Sequence, residues 1–268
     1  MFDIYMHGRV SYNDDLFFLK KYSSFSPDSF QAECVTFSYA YEKHDELRCF
    51  MPLDLFDNTT EKFQHMVKLM IWVHNYLIPG EDAIPIHPFN CINILEKTKS
   101  QQIQSNCWMY ATVLNELFLN FGYKSRMIRC MPLDLRFNDC HCVVQAYVEE
   151  YSKWVVFDAA LGTYYADELR RPLCLQEMRE RAVSEQKIIT SLLPAKYSKE
   201  IQKYWIKNLF RFETYSESKF NIEEDRSERL IIYSLLPAGY ELKDNEYIYN
   251  QRKMRIINIH NDVLFWRG

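Results

Sequence analysis

Two strand-like segments joined by a short polar link constrain the fold of this chain more than any other feature. The segments "CHCVVQAYVEE" (residues 140–150) and "KWVVFDAA" (153–160) are rich in β-branched and aromatic residues. Such segments, separated by the few polar residues from Glu149 to Ser152, indicate an antiparallel hairpin. The sequence therefore predicts antiparallel sheet in the middle of the chain.

The hairpin brings one histidine and one aspartate to the same face. A two-residue turn at Glu149 and Glu150 would place His141 directly opposite Asp158, whereas a four-residue link ending at Ser152 would place them on a diagonal. Both registers put the two side chains on one face, because side chains alternate with a period of two. Opposite neighbours are about 5 Å apart and diagonal ones about 7–8 Å apart. In either register the carboxylate can hold one ring nitrogen and leave the other free.

The segment "SNCWMYATVLNELFLNFG" (105–122) predicts a helix from about 106 to 121. Ser105 or Asn106 can cap its start, an apolar stripe follows at helical spacing, and Gly122 suits the left-handed position after its end. Cys107 falls in the first turn, where backbone N–H groups lack helical partners. The partial positive charge of that helix end favours a thiolate.

A nucleophilic cysteine needs a lowered pKa, a base within hydrogen-bond reach and a group that orients the base. Cys107, His141 and Asp158 supply these three residue types, and we predict them as the catalytic residues. A buried structural cysteine is the alternative for Cys107, because free cysteines often lie in cores. The docking of the helix on the hairpin does not follow from local sequence.

Further elements are predicted on both sides of this centre. A helix begins near Glu61, with Asn58 to Thr60 as capping residues, and residues 168–189 are expected to be helical. Strands are predicted at 32–42 and 124–131, and the C-terminal segments "RFETYS", "SERLIIYSLL", "EYIYN" and "MRIINIH" suggest a second β-containing layer.

Composition excludes several classes of protein. The balance of 32 basic and 36 acidic residues gives a net charge of −4, so there is no electrostatic case for nucleic acid. Apolar runs are shorter than the ~20 residues that span a bilayer, and the N-terminus has no signal-peptide pattern. Eight cysteines without a CxxC spacing predict free thiols in the cytoplasm. Cys140 and Cys142 face away from His141 on a strand, so no metal is expected.

Two stretches resemble the transglutaminase-like superfamily, which has a papain-like fold. "NCWMYATVLNELFLNFGYKSRMIR" is similar to that family's cysteine-bearing helix and the strand after it, although "SN" stands where the family carries glycine. "CHCVVQAYVEEYSKWVVFDAALGTYY" is similar to its histidine and aspartate segment. The resemblance covers roughly residues 60 to 190.

The resemblance implies an α+β fold in which a helix carrying Cys107 packs on an antiparallel sheet carrying His141 and Asp158. We expect an N-terminal extension (1–60), a transglutaminase-like core (61–190) and a C-terminal α/β extension (191–268). The implied activity is thiol acyl transfer on a peptide or protein amide, with hydrolysis and transamidation both open. Trp108 is a candidate for substrate contact or oxyanion binding. No cofactor, nucleic acid or membrane is expected, and the alternative is an inactive peptide-binding or protein-binding module on the same fold.

Overall fold

The computed structural model describes residues 12–26, 35–56, 61–80, 86–133, 140–225, 227, 230–242 and 255–267. The helices of this part of the chain are α1 (Tyr12–Lys21), α2 (Lys62–Tyr76), α3 (Cys91–Gln101), α4 (Cys107–Asn120), α5 (Leu175–Val183), α6 (Ser198–Asn208) and α7 (Asp262–Trp266). Its strands are β1 (Ser38–Tyr39), β2 (Ile78–Pro79), β3 (Gln104–Ser105), β4 (Ser125–Met131), β5 (His141–Val148), β6 (Lys153–Asp158), β7 (Thr163–Ala166), β8 (Ile189–Thr190), β9 (Arg211–Tyr215), β10 (Glu217–Ser218), β11 (Ile231–Leu235) and β12 (Arg255–Ile259).

Eight of these strands form one mixed sheet in the order β12-β11-β9-β4-β5-β6-β7-β8. Neighbouring strands are antiparallel except β11 and β12, which are parallel. Two apolar clusters cover its faces: α2, α3 and α4 contribute to one, and α1, α5, α6 and α7 contribute to the other. The molecule is therefore mixed α and β, in agreement with the predicted α+β class.

The central hairpin is confirmed, and its register is the four-residue one. Val144 pairs with Phe157 and Val148 with Lys153, so the link runs from Glu149 to Ser152. Ser152 has a positive φ of 50°, which closes this link. His141 and Asp158 therefore lie on a diagonal of the same face.

The cysteine-bearing helix is also confirmed, since α4 begins at Cys107 and ends at Asn120. Asn106 is the cap, because its side-chain oxygen accepts from the Met109 N–H over 3.1 Å. Gly122 has a φ of 79°, the left-handed conformation that glycine adopts without a Cβ penalty.

The helix predicted at 168–189 is shorter in the structure, where α5 covers Leu175–Val183. Asp167 explains the late start, because its Oδ1 accepts from the N–H groups of Leu169 and Arg171 at 2.9 Å each. A short acidic side chain bound in this way stabilises a turn in competition with a helix. Pro172 then bridges to Ala166 before the helix begins.

The start of α2 differs from the prediction as well. The proposed caps at 58–60 lie outside the described residues, and Glu61 at the cap position makes no side-chain cap bond. The Phe63 N–H instead donates to Glu150 Oε1 over 3.1 Å, so a carboxylate of the hairpin link caps the helix.

The predicted second β-containing layer is wrong. β9 pairs with β4, and β11 and β12 follow it, so the C-terminal strands extend the same sheet. Unpaired strand edges accept further strands, and β4 offers such an edge beside the hairpin. Of the strand expected at 32–42, Ser38 and Tyr39 form a two-residue pair with β10, residues 32–34 lie outside the described part, and "EYIYN" lies outside it too.

None of the helices in the described part of the chain combines the length and apolar character that crossing a bilayer requires. The eight-stranded sheet contains strands that precede residue 191 and strands that follow it, because β9 pairs with β4. The division at 60 and 190 stays a prediction.

Candidate active site

Cys107 is the first residue of α4, and its side chain is half-buried. The Asn106 cap and the Asn106 carbonyl, which accepts from Tyr110 N–H over 3.1 Å, fix the first turn. The thiol is thus held at the positive end of a fourteen-residue helix. Its Sγ lies 3.7 Å from the carbonyl oxygen of Cys140, next to the first residue of β5.

His141 and Asp158 form a buried pair on the sheet. His141 Nε2 lies 2.8 Å from Asp158 Oδ2, and both side chains are fully buried. The diagonal register makes this contact possible, because long side chains bridge diagonal neighbours on one face. The ring is thereby held by one nitrogen.

Asp158 is itself held by groups that the sequence did not single out. The Tyr165 hydroxyl donates to Oδ2 over 2.7 Å, and the Leu161 N–H donates to Oδ1 over 3.0 Å. Tyr165 follows on the next strand, so alternation along "TYYA" was a signal that could have found it. Three donors, the His141 ring among them, thus converge on one carboxylate.

The second nitrogen of His141, Nδ1, is buried and has no hydrogen-bond partner among the described residues. The ring makes edge-to-face contacts with Tyr204 and Trp205 of α6, with centroids 5.2 Å and 5.4 Å apart. These aromatic rings fix the imidazole plane from the side opposite α4. They lie about sixty residues further along the chain, and no local signal connects them with His141.

The thiol and the imidazole are close enough to shift each other's pKa. The pKa of the Cys107 thiol is held well below its ordinary value by hydrogen bonding with the Cys142 thiol, against burial, and further by His141. The pKa of Cys142 is correspondingly raised, because its S–H serves as a donor to Cys107. This end of β5 thus favours a thiolate at position 107.

The histidine is shifted in the opposite sense. Burial by itself would lower the pKa of His141, but the Asp158 carboxylate, together with Cys107, raises it to about 10. A negative group on each side of the ring therefore keeps the imidazolium at neutral pH. The arrangement can hold a thiolate and an imidazolium next to each other.

Trp108 is fixed by charged residues beside this site. Its indole Nε1 donates to Glu223 Oε1 over 2.8 Å, and the Arg129 guanidinium lies 4.7 Å from its ring centroid. Phe89 is tilted over the same indole at 4.6 Å between centroids. The indole N–H is bound to a carboxylate, so binding an oxyanion would require Trp108 to exchange that partner; its role stays a prediction.

Glu223 and Arg129 were missed by sequence reasoning. Glu223 is 115 residues from Trp108 and is also bound by the Tyr215 hydroxyl over 2.9 Å. No spacing rule links these positions, because the contacts arise only when β9 joins β4. Their shared effect is to hold Trp108 in one orientation.

The described residues contain no group of three histidine, cysteine or acidic side chains arranged to hold a metal ion. Cys140 and Cys142 pack with the α4 side of the sheet, whereas His141 contacts α6 on the other side. The three side chains therefore do not converge on one point.

No protein-family model matches this sequence, and no curated protein does so. Among solved structures, the chain is similar to a candidate cysteine protease from Cytophaga hutchinsonii, at 16% sequence identity and a TM-score of 0.32. The similarity covers 55% of this chain and 42% of that one, so this chain spans less than half the length of that protein.

Proposed function

We propose that this chain is a thiol-dependent acyl hydrolase or acyltransferase, with Cys107 as nucleophile, His141 as acid and base, and Asp158 as the group that orients His141. One observation carries the proposal. A thiol at a helix N-terminus lies beside an imidazole whose Nε2 is bound to a buried carboxylate and whose Nδ1 has no described partner. Nucleophile, base and orienting group are the parts that covalent catalysis needs.

The reaction would proceed in two steps. The Cys107 thiolate attacks an amide carbonyl, and the tetrahedral oxyanion is met by the Cys107 backbone N–H and a second donor. His141 gives the Nδ1 proton to the leaving amine, the C–N bond breaks, and a thioester remains on Sγ. Water or an amine then gives its proton to His141 and attacks the thioester, which releases an acid or a new amide.

The finer assignments rest on the resemblance to the transglutaminase-like superfamily. They are a papain-like core at 61–190 with extensions on both sides, a peptide or protein amide as substrate, and Trp108 as a wall of the substrate site. Seven described cysteines are free thiols, which is compatible with the cytoplasm as the location. Neither nucleic acid nor a membrane is part of the proposal.

A binding module that has lost catalysis is the second candidate. It is favoured by the 3.7 Å contact between Cys107 Sγ and the Cys140 carbonyl, which suits a neutral S–H donor. The complete burial of His141 points the same way, because a residue that exchanges protons with a substrate must come within hydrogen-bond reach of it. The two candidates differ in the ionisation state of Cys107.

The deciding experiment is the rate of iodoacetamide labelling at each cysteine between pH 5.5 and 9, read by mass spectrometry of the peptides. We expect Cys107 to react at least about 30-fold faster than the exposed Cys49 at pH 6.5, because a lowered pKa raises the fraction of thiolate, which is the reactive form. His141→Ala is expected to remove most of the difference in labelling rate between Cys107 and Cys49.

His74→Ala is the matched control, because His74 is a half-buried histidine bound to the Ala159 carbonyl near the same hairpin. It should leave the Cys107 rate unchanged. If Cys107 in the wild type follows an ordinary thiol titration that His141→Ala does not move, the catalytic proposal is wrong and the binding module stands.

A further inference from the structure

A second cluster of polar side chains lies on β4, β5 and β6, at the ends of these strands that are remote from Cys107 and His141. Arg126 pairs with Gln145 across β4 and β5, and one row further out Lys124, Tyr147 and Trp154 are neighbours. Paired residues share a face, so these five side chains lie together on the face covered by α7. Tyr147 lies six positions after His141 on β5, a distance of about 20 Å at strand spacing.

Arg126 is a buried guanidinium with unused donors. Arg126 is only 2% exposed, and its Nη1 donates to the Phe265 carbonyl over 3.1 Å. Nε and Nη2 are buried and have no hydrogen-bond partner in the described structure. Phe37 and Trp154 lie 4.6 Å and 4.8 Å from its Cζ, which supplies cation–π attraction but no acceptor.

The unused donors extend to the neighbours of Arg126. Gln145 uses Oε1 to accept from Leu175 N–H over 2.8 Å, while its Nε2 is buried without a described partner. Trp266, whose ring centroid lies 5.9 Å from Arg126 Cζ, likewise has a buried Nε1 with no described partner. Unpaired buried donors are costly, so a concentration of them calls for an acceptor.

The outer row adds a second cation and an approach from solvent. Lys124 is half-buried, and its Nζ lies 5.0 Å from the ring centroid of Tyr39 and 5.4 Å from that of Trp154. The Tyr39 hydroxyl is buried and has no described hydrogen-bond partner. No carboxylate of the described residues forms an ion pair with Lys124 or Arg126, although the chain as a whole is acidic.

The surroundings disfavour the charged forms of both cations. Burial lowers the pKa of Lys124, and Arg126 lowers it further. Burial lowers the pKa of Arg126. An anion placed between them would reverse both effects.

We propose that Arg126, Gln145, Trp266, Lys124 and Tyr39 form a binding site for an oxyanion of the phosphate type. Such an anion offers acceptors on every side and no donor, which matches a cluster in which nearly every unused atom is a donor. Its source is either free inorganic phosphate or a phosphate monoester whose organic group lies on the half-exposed rings of Tyr147 and Trp154. The site does not depend on the chemistry at Cys107.

The test is isothermal titration calorimetry of the whole chain with inorganic phosphate and with phenyl phosphate, each at constant ionic strength set by sodium chloride. We expect saturable binding of phosphate, weakened about tenfold by Lys124→Gln because one charge-assisted contact is lost. The exposed Lys43→Gln is the control and should bind as the wild type does. Arg126→Met should abolish binding, with circular dichroism to verify that the variant is folded.

Tighter binding of phenyl phosphate than of phosphate would assign the site to an aromatic phosphate monoester, and equal binding would assign it to the free anion. Absence of saturable binding of either probe to the wild type would overturn the proposal. Water would then be the acceptor for the buried donors. Binding that Lys124→Gln and Lys43→Gln weaken equally would overturn it as well. Lys124→Gln keeps the test decisive if Arg126→Met does not fold.

Discussion

The two ends of the central strands solve the problem of buried charge in opposite ways. At the end carrying His141, donors and acceptors alternate from Tyr165 through Asp158 to the imidazole, and every charge has a partner of opposite sign. At the end carrying Arg126, donors accumulate and aromatic rings replace counter-ions. The contribution of a buried charge to the free energy of unfolding therefore depends on the charge or hydrogen-bonding group next to it, and burial alone does not predict it.

The largest effect is expected from breaking the paired end. Asp158→Ala removes the group that raises the pKa of His141 and leaves the Tyr165 hydroxyl and the Leu161 N–H without an acceptor. We expect a loss of about 3–5 kcal/mol in the free energy of unfolding at pH 7, measured by urea denaturation. Asp167→Ala is the control, since that carboxylate forms a turn and an ion pair with the exposed Arg171, and a much smaller loss is expected.

The paired end also predicts the pH dependence of stability through His141. Its pKa rises from 6.5 to about 10 on folding, so its contribution is fully present below pH 6.5 and is lost as the pH rises through 10. The contribution of Glu116 to stability changes with pH in the same direction. Burial raises its pKa to about 8, so the folded state favours the neutral form and this stabilisation is lost as the pH rises. Between its unfolded and its folded pKa, each group should lower the unfolding free energy by up to about 1.4 kcal/mol for each unit that the pH rises.

Glu116→Gln isolates the second of these groups. Glu116 accepts from the Cys91 and Asn221 N–H groups at 2.6 Å and 2.8 Å, so the amide is expected to destabilise the protein at acid pH. The difference from the wild type should then shrink between pH 5 and 8, measured by denaturation at each pH. A difference that is constant over this range would show that Glu116 is ionised throughout.

A smaller effect should separate charged from neutral acceptors. Tyr165→Phe removes a hydroxyl that donates to the Asp158 carboxylate, whereas Tyr110→Phe removes one that donates to the Leu77 carbonyl over 2.9 Å. We expect losses of about 2 kcal/mol and about 1 kcal/mol in unfolding free energy, since bonds to charged groups are the stronger ones. Equal losses in parallel urea denaturations would mean that the Asp158 carboxylate is no stronger an acceptor here than the Leu77 carbonyl.

The smallest effect is expected at the donor-rich end. Lys124→Met removes a half-exposed cation whose neighbours, among the described residues, are Arg126 and aromatic rings. The unfolding free energy in chloride buffer should therefore change by no more than about 0.5 kcal/mol. Thermal or chemical denaturation provides the measurement. A loss of several kcal/mol would erase the contrast between the two ends, because it would show that Lys124 has a strong partner.

Local sequence determined the parts of the candidate site whose interactions are local. The Asn106 cap and Gly122 mark the two ends of α4, and either length of the link between β5 and β6 puts His141 and Asp158 on one face. These features depend on hydrogen bonds between near neighbours in the chain, so the sequence predicts them. It left two registers open, because either link length is compatible with the residues present.

Tertiary structure decided the rest. Cys107 reaches the end of β5 from the α4 face while Trp205 holds His141 from the other face, and no periodicity relates these positions. The same is true of Glu223 beneath Trp108, and of β9, which joins β4 rather than forming a new layer. Such contacts depend on how distant segments share one buried surface, a choice made by the whole fold. The sequence therefore predicts the residue types of the site and the hairpin. It does not predict the distant side chains that contact these residues and determine their charge states.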